Sequence, residues 1–321
     1  MIEPADLSEP ESSWGLDELC VHLNERFAQI LGSTSQDACR LFHGRGHCFT
    51  AMEHINIDFY SPVILITAYR SSGDNFEQQL ANSLSLLGDS IAVEAVVIQR
   101  RYQTDNRLEC LAGEMPQSVF ACENGLRYAL DFSGRQNVGF FLDMLTGRQW
   151  LAERAKGKRV LNLFAYTCAF SVVASSRGAK SVVNLDMSRS AIRTGQQNHQ
   201  LNNLSGGISY LAHELFRSWG KLRKRGPFDI IVVDPPSRQP GSFVAAKDYP
   251  RLLRRLPEVA AEGAELLICL NDPHVEVGVF RELIEECCPQ LSYHYRLNNR
   301  SDFPEVDQNK SLKALFFTCD R

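Results

Sequence analysis

The chain has 321 residues, 44% of them hydrophobic and 22% charged, enough for an ordinary globular core and long enough for two domains. A formal net charge of −4 excludes a surface that is basic throughout, but not a local basic face. No run of about 18 apolar residues marks a membrane span, and the acidic, polar start MIEPADLSEPESSWG lacks the basic and apolar regions of a signal peptide, so the reading is a cytoplasmic protein. Ten cysteines, scattered from Cys20 to Cys319, have no small-scaffold spacing and read as reduced thiols.

Residues 1–15 read as a flexible acidic tail. The apolar positions Leu16, Leu19, Val21, Leu23, Phe27 and Ile30 suit a helix imperfectly. Two strand-like runs follow, 55–60 and 63–69, with Pro62 between them as a turn or edge residue. An amphipathic helix is predicted over 76–87, a strand over 91–100 and further strand near 128–132. Together these make an α+β domain over 16–132. From residue 133 to 321 the pattern changes to short buried-strand runs alternating with helices: strand 159–164, helix from Phe170, strand 181–186, helix from Ser190, strand 228–234, helix 249–261, strand 265–270. That alternation predicts βαβ units and a doubly wound, mostly parallel, Rossmann-like sheet.

Such a sheet binds ligands outside the carboxyl ends of its strands. The first strand runs into NLFAYTCAF, whose loop has none of the glycines of a dinucleotide fingerprint. The second ends at Asp186 in VVNLDMS, where a carboxylate can accept hydrogen bonds from both hydroxyls of a ribose; Ser188 then suits a helix N-cap. The third is FDIIVVDPPS, in which Asp234 is followed by two prolines that fix a rigid turn.

These segments together, with Asn198, Leu201 and Asn202 as N-x-x-L-N and with RLFHGRG (40–46), ENGLRYALDF (123–132) and GFFLDMLTGR (139–148) upstream, resemble the ribosomal RNA large-subunit methyltransferases, a family with cytosine-C5 and guanine-N7 branches. The resemblance covers roughly 40–321. It implies a class I methyltransferase domain that uses S-adenosylmethionine and leaves S-adenosylhomocysteine, behind an N-terminal α+β domain that helps hold RNA. By that match Asn162, Phe164, Tyr166 and Thr167 line the methionine end of the cofactor, Asp186 and Met187 the ribose, and Glu214 and Leu215 the adenine. Asp143 and Arg148 match the aspartate and last arginine of the motif before the first strand, and by that match are counted among the cofactor-binding residues. Asp234, Pro235, Pro236 and Ser237 face the target base, Asp234 bordering the cofactor as well. Three departures stand out: Cys168 where the family usually has glycine, Leu145 where it often has arginine, and no separate PUA module at the N-terminus.

Methylation of a pyrimidine C5 needs a nucleophile, normally a thiolate, to add to the ring first. After the strand that follows the DPP turn, LLICLNDP puts Asn271 at the position where the cytosine-C5 branch has its cysteine. Cys269, two residues earlier, shares its side of the strand and remains a rival, though a buried strand cysteine is the plainer reading. Guanine N7 is already nucleophilic and needs only positioning, so the reading favours that branch. Arg223, Lys224 and Arg225, and Lys247 and Arg251 after the DPP turn, are candidate RNA phosphate contacts. The group Cys39, His43, His47 and Cys48 does not have the spacing of a structural zinc site, and no metal is expected. Other readings remain open: a methyltransferase of a protein or small molecule, or a non-catalytic RNA-binding protein that keeps the fold. An NAD-linked oxidoreductase is disfavoured by the missing glycines.

Overall fold

The computed structural model describes residues 14–32, 37–105, 107–134, 136–236, 238–239 and 243–320; residues 1–13 of the expected acidic tail, and Ser237, lie outside the described residues. The chain forms two compact units. One runs to Pro116 and takes in Pro304–Val306; the other holds Gln117–Phe303 and the chain from Asp307 onward.

The first unit contains α1 (Leu16–Leu31), β1 (Cys39–His43), β2 (Ile55–Tyr60), β3 (Val63–Ala68), α2 (Asp74–Gly88), β4 (Ala95–Arg100) and β5 (Leu108–Gly113). Its five-stranded sheet has the order β1-β2-β3-β4-β5. β3 and β4 alone are parallel neighbours, joined across α2. The expected strand start at Ile91 is instead the end of a short 3-10 turn, Asp89–Ile91. Leu19, Leu23 and Phe27 of α1 and Leu80, Ala81 and Leu84 of α2 pack on Ile57, Ile64, Ile66 and Ile98 of the sheet.

The second unit starts with a hairpin, β6 (Phe120–Glu123) and β7 (Leu126–Ala129), then α3 (Leu145–Arg154), β8 (Arg159–Leu163), α4 (Ala169–Ser176), β9 (Ser181–Asp186), α5 (Arg189–Leu201), β10 (Ile208–Ala212), α6 (Leu215–Arg225), β11 (Phe228–Val233), the two-residue strands β12 (Arg238–Gln239) and β13 (Phe243–Val244), α7 (Ala245–Leu253), β14 (Ala260–Leu270), α8 (Val277–Cys287), β15 (Leu291–Arg296) and β16 (Lys313–Cys319). The main sheet has seven strands in the order β10-β9-β8-β11-β14-β16-β15. The first five run parallel, and β16 is antiparallel to both neighbours. Strand alternation divides its core. Leu161, Leu163, Ile231, Val233, Leu266 and Ile268 meet α6, α7 and α8 on one face; Val160, Ile230, Val232 and Leu267 meet α3 and α4 on the other. This is the doubly wound, Rossmann-like arrangement expected.

The division between the units falls before the expected boundary at 132/133. The hairpin belongs to the second unit because α5 holds it: Asn198 accepts the Ala129 N–H (2.8 Å) and Asn202 accepts the Arg127 N–H (2.9 Å) while donating to the Arg127 carbonyl (2.7 Å). The helix predicted over 249–261 runs from 245 to 253. It gives way to a 3-10 turn that has Pro257 near its start, and β14 begins at 260 rather than 265.

Candidate active site

Strand register gathers the expected site residues on one edge of the main sheet. Leu163, the last residue of β8, pairs with Leu185 and Val233 on either side, and Val233 pairs with Ile268. Asp186 pairs with Ala212 at the end of β10. The loop after β8, Asp186, Glu214, Asp234 and Asn271 therefore emerge together at the carboxyl ends of five parallel strands.

The loop after β8 does without glycine. Phe164, Tyr166 and Cys168 all have left-handed backbone conformations, with φ of 57°, 48° and 64°, each costing roughly 1–2 kcal/mol in a non-glycine residue. The Ala165 N–H goes to the Leu185 carbonyl (3.0 Å) and the Cys168 N–H to the Ala165 carbonyl (2.7 Å). The Asp186 carboxylate accepts the Tyr166 N–H at 2.9 Å and the Ser188 N–H at 2.8 Å. A carboxylate offers about four acceptor positions, so this one can brace the loop and still bind hydroxyls. Ser188 caps α5 as expected, accepting from the Ala191 N–H at 3.2 Å.

Cys168 is the residue before α4. Its side chain is fully buried with Ala165 and Ile192, beside Tyr210 and Ala212. The space it fills is left by Gly195 on α5, where a Cβ would lie 2.4 Å from the Cys168 sulfur. Burial holds this thiol protonated, far above the usual range.

Several side chains expected at the cofactor also brace the edge. Asn162 is buried and donates to Asn184 (3.0 Å), which donates to Ser171 (2.9 Å), which meets His199 Nε2 (2.9 Å). Thr167 is buried, its hydroxyl donating to the Gly139 carbonyl at 2.7 Å, and its own carbonyl accepts from Asn198 at 2.9 Å. Phe164 packs edge-on against Phe243 at 4.8 Å, and Leu215 points into the core. Glu214 is at the expected edge, but its carboxylate caps α6 through the Phe216 and Arg217 N–H groups at 2.9 and 2.8 Å. Arg148 is committed to a buried two-pronged ion pair with Glu123, both contacts at 2.6 Å, and donates to the Phe141 carbonyl at 2.9 Å. Half-buried Met187 follows Asp186 directly, and the Tyr166 ring lies 5.3 Å from Phe141.

On the acceptor side, Pro235 is buried and Pro236 exposed after half-buried Asp234. Burial, reinforced by the Asp143 charge and opposed by Arg148, pushes the Asp234 carboxyl up to about 7. One residue past Val233, Asp234 is level with Cys269 on β14; Cys269 is fully buried. Burial, with the charges of Asp234 and Asp143, raises its thiol well above the ordinary value. Asn271 is exposed beyond the strand end. Below it, fully buried Lys313 donates to the Asp272 and Ser311 carbonyls at 2.9 and 2.8 Å.

The two basic groups separate. α6 descends from the carboxyl edge to the amino end of β11, so Arg223, Lys224 and Arg225 in its last turn lie at the opposite edge of the sheet from Asp234, not beside it as expected. There Arg223 reaches Glu258 at 3.6 Å. Lys247 and Arg251 are exposed on α7, which starts shortly after the DPP turn. Arg251 lies 3.9 Å over the ring of Phe216, the second residue of α6, which keeps it near the carboxyl edge. His43 sits between Arg40 (2.6 Å) and Glu305 (3.3 Å). Among the described residues no group of three or more His, Cys, Asp or Glu is arranged to hold a metal.

The signals for the bracing residues were uneven. Asn198 on α5 and Asn202, the residue after it, stand one turn apart in N-x-x-L-N, a visible pairing. Glu123 opens the ENGLRYALDF segment, but its partner is 25 residues away and only the hairpin brings it close.

A mostly parallel seven-stranded sheet with a carboxylate at the second strand end and Asp-Pro-Pro at the fourth defines a class I methyltransferase domain. The family model for S-adenosylmethionine-dependent methyltransferases matches residues 39–318, and the chain belongs to that family; its cofactor is S-adenosylmethionine. YwbD of Bacillus subtilis (strain 168), by its name a candidate ribosomal RNA large subunit methyltransferase, is 28% identical over 295 residues, 87% of this chain and 72% of that protein. Ribosomal RNA large subunit methyltransferase I of Shewanella frigidimarina is 32% identical over 271 residues, 78% of this chain and 66% of that one. The crystal structure of SMU.776, a candidate methyltransferase complexed with SAH, superposes with a TM-score of 0.84 at 25% identity, covering 96% of this chain and 83% of that chain. The chain spans 61% of another relative, methyltransferase I of Aeromonas salmonicida. No helix among the described residues is long and apolar enough to cross a membrane.

Proposed function

We propose that this chain methylates a base of ribosomal RNA, with guanine N7 as the acceptor. The ribosomal RNA part rests on the names of its relatives. The choice of atom rests on one observation: the strand end facing the Asp234 turn carries exposed Asn271, while Cys269 is fully buried. A buried thiol held protonated is not poised to add to a pyrimidine ring, whereas guanine N7 needs no such addition.

S-adenosylmethionine supplies an electrophilic methyl group on a sulfonium. Asp186, which braces the turn at Tyr166, would hold the ribose hydroxyls, and Phe141 and Tyr166 would wall the methionine side. Asp234 and Asn271 orient the base edge over the rigid Pro235–Pro236 turn, and Lys247 and Arg251 meet phosphates. Transfer then needs mainly in-line placement of the ring nitrogen.

Cytosine C5 is the second reading, with Cys269 as nucleophile after a local opening, because Cys269 lies level with Asp234. Methyl transfer from labelled cofactor to ribosomal RNA, followed by nucleoside digestion, separates the two. 7-Methylguanosine, with activity kept in Cys269→Ala, supports the proposal. 5-Methylcytidine, with activity lost in that variant, refutes it, and no transfer to RNA refutes the RNA reading.

A further inference from the structure

The RLFHGRG motif at 40–46 takes no part in the site above. It ends β1 and forms a 3-10 turn, Gly44–Gly46. Both glycines are pressed against backbone: a Cβ would lie 2.0 Å from the Met52 carbonyl at Gly44 and 1.7 Å from the Pro304 carbonyl at Gly46. Arg45, between them, is exposed, and its guanidinium lies 4.5 Å over the ring of Tyr69. Tyr69 directly follows β3 and Arg101 directly follows β4. Because those strands are parallel, with Ala68 opposite Arg100, the two emerge side by side, and Arg101 lies 5.6 Å from the same ring. Exposed Arg70 and Tyr102 come next in each loop.

Two other arginines of this unit are paired with carboxylates. Arg40 is held by Asp58 (2.7 Å), and Arg100 by Glu77 (2.7 Å) and Glu109. Of the acidic groups in the adjoining loops, Glu53 accepts the Ala51 N–H (3.1 Å) and Asp105 the Arg107 N–H (3.3 Å). The Arg45 charge is presented at the surface on the Tyr69 ring; exposed Arg70 reaches His54 Nδ1 at 3.4 Å, and Arg101 donates to Gln99 at 3.2 Å.

We propose that the Arg45–Tyr69–Arg101 edge of the first unit is a binding surface for unpaired RNA, with a base stacked on the Arg45 guanidinium plane and its flanking phosphates on Arg70 and Arg101. Stacked guanidinium groups with adjacent cations suit an unstacked nucleotide better than a uniform duplex backbone. This inference rests on the RNA reading above but concerns a surface that reading does not use.

The test is fluorescence anisotropy of the full chain with a labelled single-stranded RNA oligonucleotide, its duplex and polyglutamate as competitor. Arg45→Ala and Tyr69→Leu are each expected to weaken single-strand binding about tenfold. Arg70→Ala lowers the salt slope by about one, whereas Arg45→Lys keeps the charge but loses the stacking plane and the affinity that goes with it. Circular dichroism and thermal unfolding, unchanged in every variant, report that they fold. Affinities equal to wild type overturn the inference, as does a loss shared equally by duplex and polyglutamate, which marks a general anion-binding face. If the wild type methylates RNA while the variants bind it normally, only this surface falls. If the wild type neither binds nor methylates RNA, the functional reading falls with it.

Discussion

Replacing Gly195 by alanine tests how a cysteine is accommodated in the cofactor loop. The new methyl would lie 2.4 Å from the Cys168 sulfur, 2.9 Å from its Cβ and 3.3 Å from the Thr167 carbonyl carbon, against a comfortable separation of about 3.5–4.0 Å for carbon pairs. Forcing that overlap costs roughly 1–3 kcal/mol, offset by about 0.5–1 kcal/mol from alanine's better helix propensity. The net expectation is a loss of about 0.5–2 kcal/mol. In a Cys168→Gly background the sulfur and Cβ are gone and only the Thr167 contact stays tight, so the same alanine becomes neutral or stabilising by up to about 0.5 kcal/mol. The coupling between the sites is then about 1–2 kcal/mol, well above the additivity error of distant residues. Calorimetric or denaturant unfolding of the four proteins measures it. S-adenosylmethionine titration follows alongside, because α5 also carries Asn198, which holds the Thr167 carbonyl. Equal costs of Gly195→Ala in both backgrounds would refute the packing argument.

Asp186→Asn removes charge from an acceptor that braces Tyr166 and Ser188. A charged hydrogen bond contributes roughly 1.5–3 kcal/mol, so cofactor affinity drops at least tenfold by calorimetry; unchanged affinity excludes the ribose role. Arg148→Met strands Glu123 in the interior and costs about 3–5 kcal/mol in denaturant unfolding, much of it recovered when Glu123→Gln is added; an undiminished loss in the double variant argues against the ion pair as the cause. The Asp234 carboxyl, about 7 in the folded protein against roughly 3.9 unfolded, binds its proton more tightly when folded. Its stabilising contribution is therefore complete below about pH 4 and declines as pH rises to about 7. Asp234→Asn flattens that decline in melts across pH 5–8, and parallel curves count against it. Lys313→Met frees the Asp272 and Ser311 carbonyls and is expected to raise KM for RNA with cofactor affinity unchanged; equal loss of both makes its role purely structural.

The parallel sheet was legible because its buried strands, 159–163, 181–186 and 228–233, are short apolar runs separated by helical stretches. The same strands end in Asp186 and Asp234, so their chemistry could be read along with them. Residues whose role depends on a partner distant in sequence were less accessible. Arg148 read as a cofactor contact, yet its guanidinium is spent on Glu123, and Asn162 on a polar chain that ends at His199. The basic run at 223–225 lies in sequence between two site motifs, but a helix reverses direction between strands and carries it to the far edge.

Local periodicity thus determined the fold class, because it depends on alternation within a few residues, while the cofactor class came from the resemblance of several motifs taken together and from no strand end alone. Tertiary structure decided which side chains face the groove and which brace it, how Gly195 makes room for Cys168, and which cations share an edge with the acceptor turn. Those outcomes depend on strand register and helix direction, which bring together residues that no local pattern connects.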